Sequence, residues 1–387
     1  MERSLVALLC TAHFITDVNQ GALPALLPFL ISEYHLSYEA AGLIIFSATV
    51  VSTIVQPVFG HLADRISSPW LMPAGVLLAG FGMAATGWVP GYNWILLSVM
   101  ISGVGVAAFH PQGAQMVARA SGGRQGSAMS IFGVGGTVGF AVGPVTVTAA
   151  LLRWGLKGSA ILAVPVTVMA AVLAWRLFVR ATVGSQASRS SKMSEQIPDA
   201  WGPFSRLTGV VICRAVLFFG FNTFVPLYWI NVLHGSKAAG ALALSVFSLS
   251  SIGGNLLGGR LSDRWGHTRV AVAGFCAMIP LVPLLMMAET RAVGLIILAL
   301  IGFCMSATYS PLIVLGQQYL PNHTGLSAGV TLGVAITIGG IAAPVLGRVA
   351  DHYGLWAAFA VLSCTPVFAA ALAFTLPRPR RIAPELA

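Results

Sequence analysis

The hexapeptide GHLADR, residues 60–65, closes an apolar run and returns as GRLSDR at residues 259–264, an offset of 199. FHPQ at Phe109 and YSPL at Tyr309 lie 200 apart, as do GPV at Gly143 and APV at Ala343. Three motifs that keep one order and nearly one offset describe a chain built from two related halves.

The residues around these motifs fix the solvent of the fold. Hydrophobic residues make up 57% of the 387 positions and charged residues 8%, with a mean hydropathy of +0.85. Soluble domains are about 45–50% apolar and ~25% charged. Apolar runs recur at 5–31, 40–62, 70–89, 93–116, 125–150, 156–178, 207–232, 239–260, 269–288, 292–316, 325–348 and 355–376. At 1.5 Å per residue, runs near 20 residues cross a ~30 Å hydrocarbon core as helices. They are continuously apolar, whereas the strands of a membrane barrel alternate. The expected fold is an all-α integral membrane protein with twelve transmembrane helices in two six-helix, pseudo-symmetric bundles. Residues 1–182 form one bundle and 206–387 the other, and the polar, Ser-rich stretch 183–205 links them. Parallel repeats of this kind are the plan of one transporter class.

The net charge of +10 is topological. With the N-terminus inside, fifteen of the 21 Lys and Arg fall on the cytoplasmic side, five outside (Arg153, Lys157, Lys237, Arg291, Arg348), and Arg214 within a span. This asymmetry places both termini in the cytoplasm, and it leaves no nucleic-acid footprint. The first run is expected to stay as a helix, not to be cleaved as a signal peptide. The five cysteines fall inside spans without metal-site spacing and read as packing residues. None of the three lysines, Lys157, Lys192 and Lys237, follows a glycine as a phosphate-cradling loop requires, so no such loop can be written and nucleotide-driven transport by this chain is not expected.

The first run, CTAHFITDVNQGALPALLPFL at residues 10–30, carries polar groups at membrane depth. His13, Asp17, Gln20 and Pro24 share one helix face. A charge at the bilayer centre costs about 3 kcal/mol on insertion scales, so that face is expected to line a protein cavity. Asp17 is the one acid well inside a span. It is the expected proton-coupling residue, with His13, and its alternative is a structural carboxylate that never titrates. Arg214, early in the seventh run, could clamp an anion with its two-pronged guanidinium or extend to the membrane surface. His110 is a gate, relay or cavity candidate that a packing role would also explain. FHPQ and YSPL share a helix break but not the imidazole. Asn222, Tyr228, Trp229, Tyr309 and Gln317 are further cavity candidates, though Trp and Tyr also occur in interfacial belts, and Gln20 joins the substrate-facing set.

GHLADRISSPW and GRLSDRWGHTR resemble the G-x-x-x-D-R loops of the major facilitator superfamily. GVGGTVGFAVGP, residues 133–144, resembles the helix 5 motif of that family's drug:proton antiporters. FHPQGAQMVARASGGRQGSAMSIFGVGGTVGFAVGP, QPVFGHLADRISSPW and LGQQYLPNHTGLSAGV resemble its fosmidomycin-resistance branch. The resemblance covers nearly the whole chain. It implies that Gly60, Asp64 and Arg65, with Gly259, Asp263 and Arg264, hold an inner gate. Close-packing Gly133, Gly139 and Gly143 with Pro144 are expected to supply a sliding or bending surface between the halves. The chain departs from the family pattern at Gln112 and Gln318, where the resemblance implies glutamate.

Together these readings describe a proton-coupled secondary transporter of a bacterial cytoplasmic membrane. It is expected to be a functional monomer without cofactor, exporting a drug or other small, possibly anionic, organic compound in exchange for protons. The alternative is a proton-linked importer of an organic anion or sugar-like metabolite. A membrane-embedded enzyme would need clustered acids or a metal constellation, and a channel would need rings of like side chains. Neither pattern is present in the sequence.

Overall fold

A computed structural model describes residues 2–65, 70–122, 125–181, 198–323, 327, 330–331 and 335–377. The first half contains α1 (Arg3–Tyr34), α2 (Tyr38–Arg65), α3 (Leu71–Ala85), α4 (Tyr92–Ala120), α5 (Gln125–Trp154) and, after a 3-10 turn at Gly155–Leu162, α6 (Ala163–Ala181). The second contains α7 (Trp201–Asn231), α8 (Lys237–Trp265), α9 (His267–Met286), α10 (Arg291–Ala307), α11 (Tyr309–Tyr319) and α12 (Ala335–Phe374). No strand occurs among the described residues.

Nine helical stretches among those residues are long and apolar enough to cross a membrane. Ile131–Arg176 and Thr337–Phe374, of 46 and 38 residues, are each long enough to cross twice. Each breaks at a glycine in the left-handed region, Gly155 (φ 62°) and Gly354 (φ 82°), a conformation that side chains resist. Leu71–Ala85 is a shorter apolar helix. With the two long stretches divided, a described helix overlaps each of the twelve hydropathy runs.

The outer surface agrees with a lipid solvent. Eight of the nine tryptophans, among them Trp70, Trp88, Trp154 and Trp265, are exposed and stand near helix ends, while Trp229 alone is buried. Rings at helix ends are the interfacial belt of a membrane protein. The five cysteines are free thiols.

Each half packs around its own core. In the second half Phe221, Tyr228, Trp229, Phe247 and Phe359 interlock, and in the first half α1 and α5 are the most closely packed pair. The reason lies in the glycines of α5. A Cβ at Gly135, Gly139 or Gly143 would collide with the backbone carbonyls of Cys10, Phe14 or Val18 on α1. This corrects the expected location of the Gly-rich surface: it lies inside the first half, against α1, and not between the halves. Gly133 faces open space and Pro144 is buried within α5.

The halves meet through α2 with α12, α5 with α8 and α1 with α7. The contacts include Phe140 with Phe218 (ring centroids 6.1 Å apart) and Gly42 against the Ala343–Pro344 backbone. They lie toward the end of the bundle that carries the α1–α2 and α7–α8 connections, called here the far end.

Two further expectations are corrected. The expected linker, 183–205, runs too long, because α7 begins at Trp201; residues 182–197 lie outside the described residues. The helix break is not shared by both halves. The helix in the second half stops at Ala307 and restarts at Tyr309, but α4 runs through Pro111 unbroken. One missing backbone bond bends a helix without ending it when neighbours pack on both sides.

Ahead of α7, Asp199 accepts the Asn322 N–H at 3.1 Å and pairs with the His323 ring at 2.7 Å. Lost solvation works against its charge, but these hydrogen bonds prevail and hold its carboxyl below the usual carboxylate range. The stabilisation is present above the unfolded value of about 3.9 and is lost as pH falls through the folded value. Protection of the Asn322 amide from hydrogen exchange is therefore expected to persist as pH falls through about 4 and to be lost only at the lower folded value, once intrinsic exchange rates are corrected for.

Candidate functional site

The helical spacing of His13 and Asp17, one turn apart on α1, puts both side chains into the space between α1, α4 and α5. Both residues are 8% exposed. His13 Nε2 stands 3.2 Å from one Asp17 carboxylate oxygen, and His110 Nε2, from α4, stands 3.3 Å from the other. The two Nε2 atoms are 3.1 Å apart. The Gln20 amide donates to Asp17 Oδ1 at 2.7 Å. His13, Asp17 and Gln20 thus meet as their spacing implies, and the fold brings in His110 from 97 residues away. Of the three, His110 is the most open to water, with 22% of its side chain exposed.

The backbone partners decide what this triad can hold. His13 Nδ1 faces the Phe132 carbonyl at 2.8 Å and His110 Nδ1 faces the Val106 carbonyl at 3.0 Å. A carbonyl only accepts, so each ring carries its hydrogen on Nδ1 and turns Nε2 inward as a bare acceptor. Two imidazole lone pairs and a carboxylate then converge, and the one donor beside them, the Gln20 amide, reaches the carboxylate and neither ring nitrogen. They repel one another unless a positive species stands among them. Among the described residues this is the one group of three His, Cys, Asp or Glu whose ligand atoms all lie within 4.8 Å. Separations of 3.1 to 3.3 Å lie at the long end of hydrogen-bonding distance.

Two supports escape a reading of the sequence. Phe132 stacks on His13 with centroids 4.1 Å apart. Gly136 leaves the room the triad occupies, since a Cβ there would come within 2.6 Å of Asp17 Oδ2. The doubled glycine in GVGG was the available signal, but its partner could not be read from it.

The second half carries a different chemistry at the related place. Tyr309 is the repeat counterpart of Phe109, and Arg214 follows Cys213, which stands 200 residues after His13. The Arg214 guanidinium lies 4.6 Å over the Tyr309 ring, and its Nε donates to the Met305 carbonyl at 3.3 Å. It lines a cavity with Val211, Leu312, Ile313 and Thr331. No carboxylate pairs with it among the described residues. The guanidinium is folded onto an aromatic face and is not extended toward the membrane surface.

The remaining candidates separate. Tyr228 is 1% exposed in the second half's core and donates to the Met286 carbonyl, so it is a packing residue and not a cavity residue. Asn222 is buried, donating to Phe218 of its own helix while its Oδ1 finds no partner. Gln317 and Gln318 are exposed, and Gln112 is buried. Asp263 and Arg264 are exposed, and the charge of Asp263 acts on His267 at the start of α9. Gly258, not Gly259, makes the close approach, meeting the Ala307 backbone. Gly60, Asp64 and Arg65 fall at the end of α2, and their side chains lie outside the described residues.

The sequence profile of the Major Facilitator Superfamily matches residues 9–344. The chain belongs to the Major Facilitator Superfamily. It is 28% identical to an uncharacterized MFS-type transporter, YfnC, of Bacillus subtilis over 96% of this chain and 92% of the relative. It is 27% identical to the fosmidomycin resistance protein of Escherichia coli over 92% and 88%. Among solved structures, a bacterial homolog of the human lysosomal transporter Spinster, inward-facing and occupied, superposes with a TM-score of 0.82 at 14% identity, covering 97% of each chain. A D-xylose–proton symporter gives 0.74 at 15% identity, covering 98% and 99%. The protein is a multi-pass membrane transporter of this superfamily that handles a small molecule.

Proposed function

We propose that this superfamily member is a proton-coupled antiporter that exports a drug or other small organic anion across a bacterial cytoplasmic membrane, with both termini in the cytoplasm. The observation that carries the reading is the convergence of His13 Nε2, His110 Nε2 and Asp17, in which the one resident donor, the Gln20 amide, serves the carboxylate and leaves both ring nitrogens without one. A proton taken from water through the more exposed His110 removes the repulsion and is held against the Asp17 charge. Rocking of the halves exposes the site to each side in turn. Release follows when the proton's water contact is on the side of lower proton concentration.

The similarity to a fosmidomycin resistance protein along most of both chains supports export. Arg214, unpaired by any described carboxylate, supplies the positive group for a phosphonate, phosphate or carboxylate. The test is reconstitution into proteoliposomes with an imposed pH gradient and a lumenal pH dye, screening candidate anions that include fosmidomycin. Substrate movement that dissipates the gradient and stops with an uncoupler is expected. Movement indifferent to the gradient overturns the proposal.

Hydrogen bonds to charged groups are worth about 1.5–3 kcal/mol. Arg214→Ala is therefore expected to raise the half-saturating concentration of an anionic substrate by roughly 10- to 150-fold and leave an uncharged analogue unaffected. Arg214→Lys restores only part, because an ammonium lacks the planar fork. Equal losses for charged and uncharged compounds would assign Arg214 a packing role.

A further inference from the structure

The start of α2 is held by two different residues. The first backbone N–H groups of a helix have no partner within it. Ser37, next to Tyr38 in the chain, accepts the Ala40 N–H at 3.0 Å through its hydroxyl. The Tyr38 and Glu39 N–H groups instead donate to the two carboxylate oxygens of Asp351, at 2.7 and 2.9 Å. Asp351 belongs to α12, 313 residues away in the other half. Glycines bring it there: Gly347 lies against the Tyr38 backbone, and a Cβ at Gly42 would stand 2.6 Å from the Ala343 carbonyl carbon. A second contact bridges the halves at the same far end, where Lys237 of α8 sits 4.3 Å over the Phe29 ring of α1.

From this arrangement we infer that Asp351 is a latch of the far-end gate, a carboxylate that stabilises the state in which this end is closed and loses its partners when it opens. The inference rests on the alternating-access part of the transport reading. Ser37 and Ala40 belong to one half and stay together in every state. Asp351 and the Tyr38 and Glu39 N–H groups belong to different halves and separate when the halves rock. The helix start therefore survives opening on its Ser37 cap, and the two freed N–H groups pass to water. Asp351 is exposed, so water can replace it without a buried unsatisfied group. A contact made in one state only shifts the balance between states by its own free energy.

The experiment measures the gate without measuring transport, so its result does not depend on the substrate or on coupling. Spin labels are placed through Ser32→Cys and Glu289→Cys, both exposed at the far end on opposite halves, in a cysteine-free full chain in lipid nanodiscs. Pulsed electron resonance gives the distance distribution. Asp351→Ala is expected to raise the ratio of long to short distances roughly 2- to 30-fold, the range for loss of a helix-capping side chain. Asp351→Asn, which keeps the shape and one accepting oxygen, is expected to give a smaller rise in the same direction. Ser37→Ala is expected to lower the melting temperature and leave the distance distribution unchanged. A wild-type distribution in the Asp351 variants, or an equal shift in Ser37→Ala, overturns the inference; if the alanine variant does not fold, the asparagine variant decides.

Discussion

Asp17→Asn is expected to abolish accumulation driven by a pH gradient while sparing substrate exchange between equal pools. The substitution changes two quantities together. It removes the negative charge that, in the proposed coupling, stabilises a proton between His13 and His110, and breaking a buried pair by removing one partner costs about 3–5 kcal/mol. At 1.36 kcal/mol per unit, proton affinity is expected to fall by roughly two to four powers of ten. It also turns an N–H donor toward the two imidazoles, which the carboxylate could not offer, so an imidazole lone pair is satisfied with no proton bound. The site then no longer reports the proton concentration on either side. Counterflow at equal pH, measured beside gradient-driven uptake in the same vesicles, separates this outcome from misfolding. Gradient-driven accumulation at wild-type levels would remove Asp17 from the coupling role.

Gly139→Val is expected to prevent the first half from packing. Its Cβ would meet the Phe14 carbonyl of α1, and backbone held in a helix cannot give way as a flexible side-chain tip can. Overpacking typically costs 1–3 kcal/mol and occasionally more. Here the cost is expected at or above about 3 kcal/mol, because α1 must shift along a seam that Gly135 and Gly143 also hold. Moving α1 would separate His13 and Asp17 from His110. Gly139→Ala is expected to be destabilising too. Gly133→Ala on the open face is expected to be neutral or stabilising by up to about 1 kcal/mol through helix propensity. Thermal unfolding of the detergent-solubilised protein, followed by size-exclusion fluorescence, distinguishes the two faces. Equal responses at Gly133 and Gly139 would contradict the close α1–α5 approach.

The site was only partly legible from the residues in order. The face formed by His13, Asp17 and Gln20 is a matter of helical spacing, and a charged group at membrane depth already requires a protein-lined environment. His110 could be named but not given its role, because nothing in FHPQ says that its ring meets Asp17 across 97 residues. Tyr228 and Gln317 share the polarity of cavity residues, yet one is enclosed by Phe359 and its neighbours and the other faces outward. Polarity alone does not say which way a helix is turned. The glycines of α5 announced close packing without naming the partner, and the partner is α1.

The sequence by itself determined the solvent, the helical class and the duplication. Those follow from the length and continuity of apolar runs and from motifs that recur at one offset, which are properties of the chain in order. Tertiary structure alone decided that two imidazoles and one carboxylate share a proton-sized space, that a guanidinium with no described carboxylate lies at the related place in the other half, and that Asp351 caps a helix 313 residues away. Each depends on distances between segments far apart in sequence, set by how closely glycine-bearing helices approach, and no local pattern encodes such a distance.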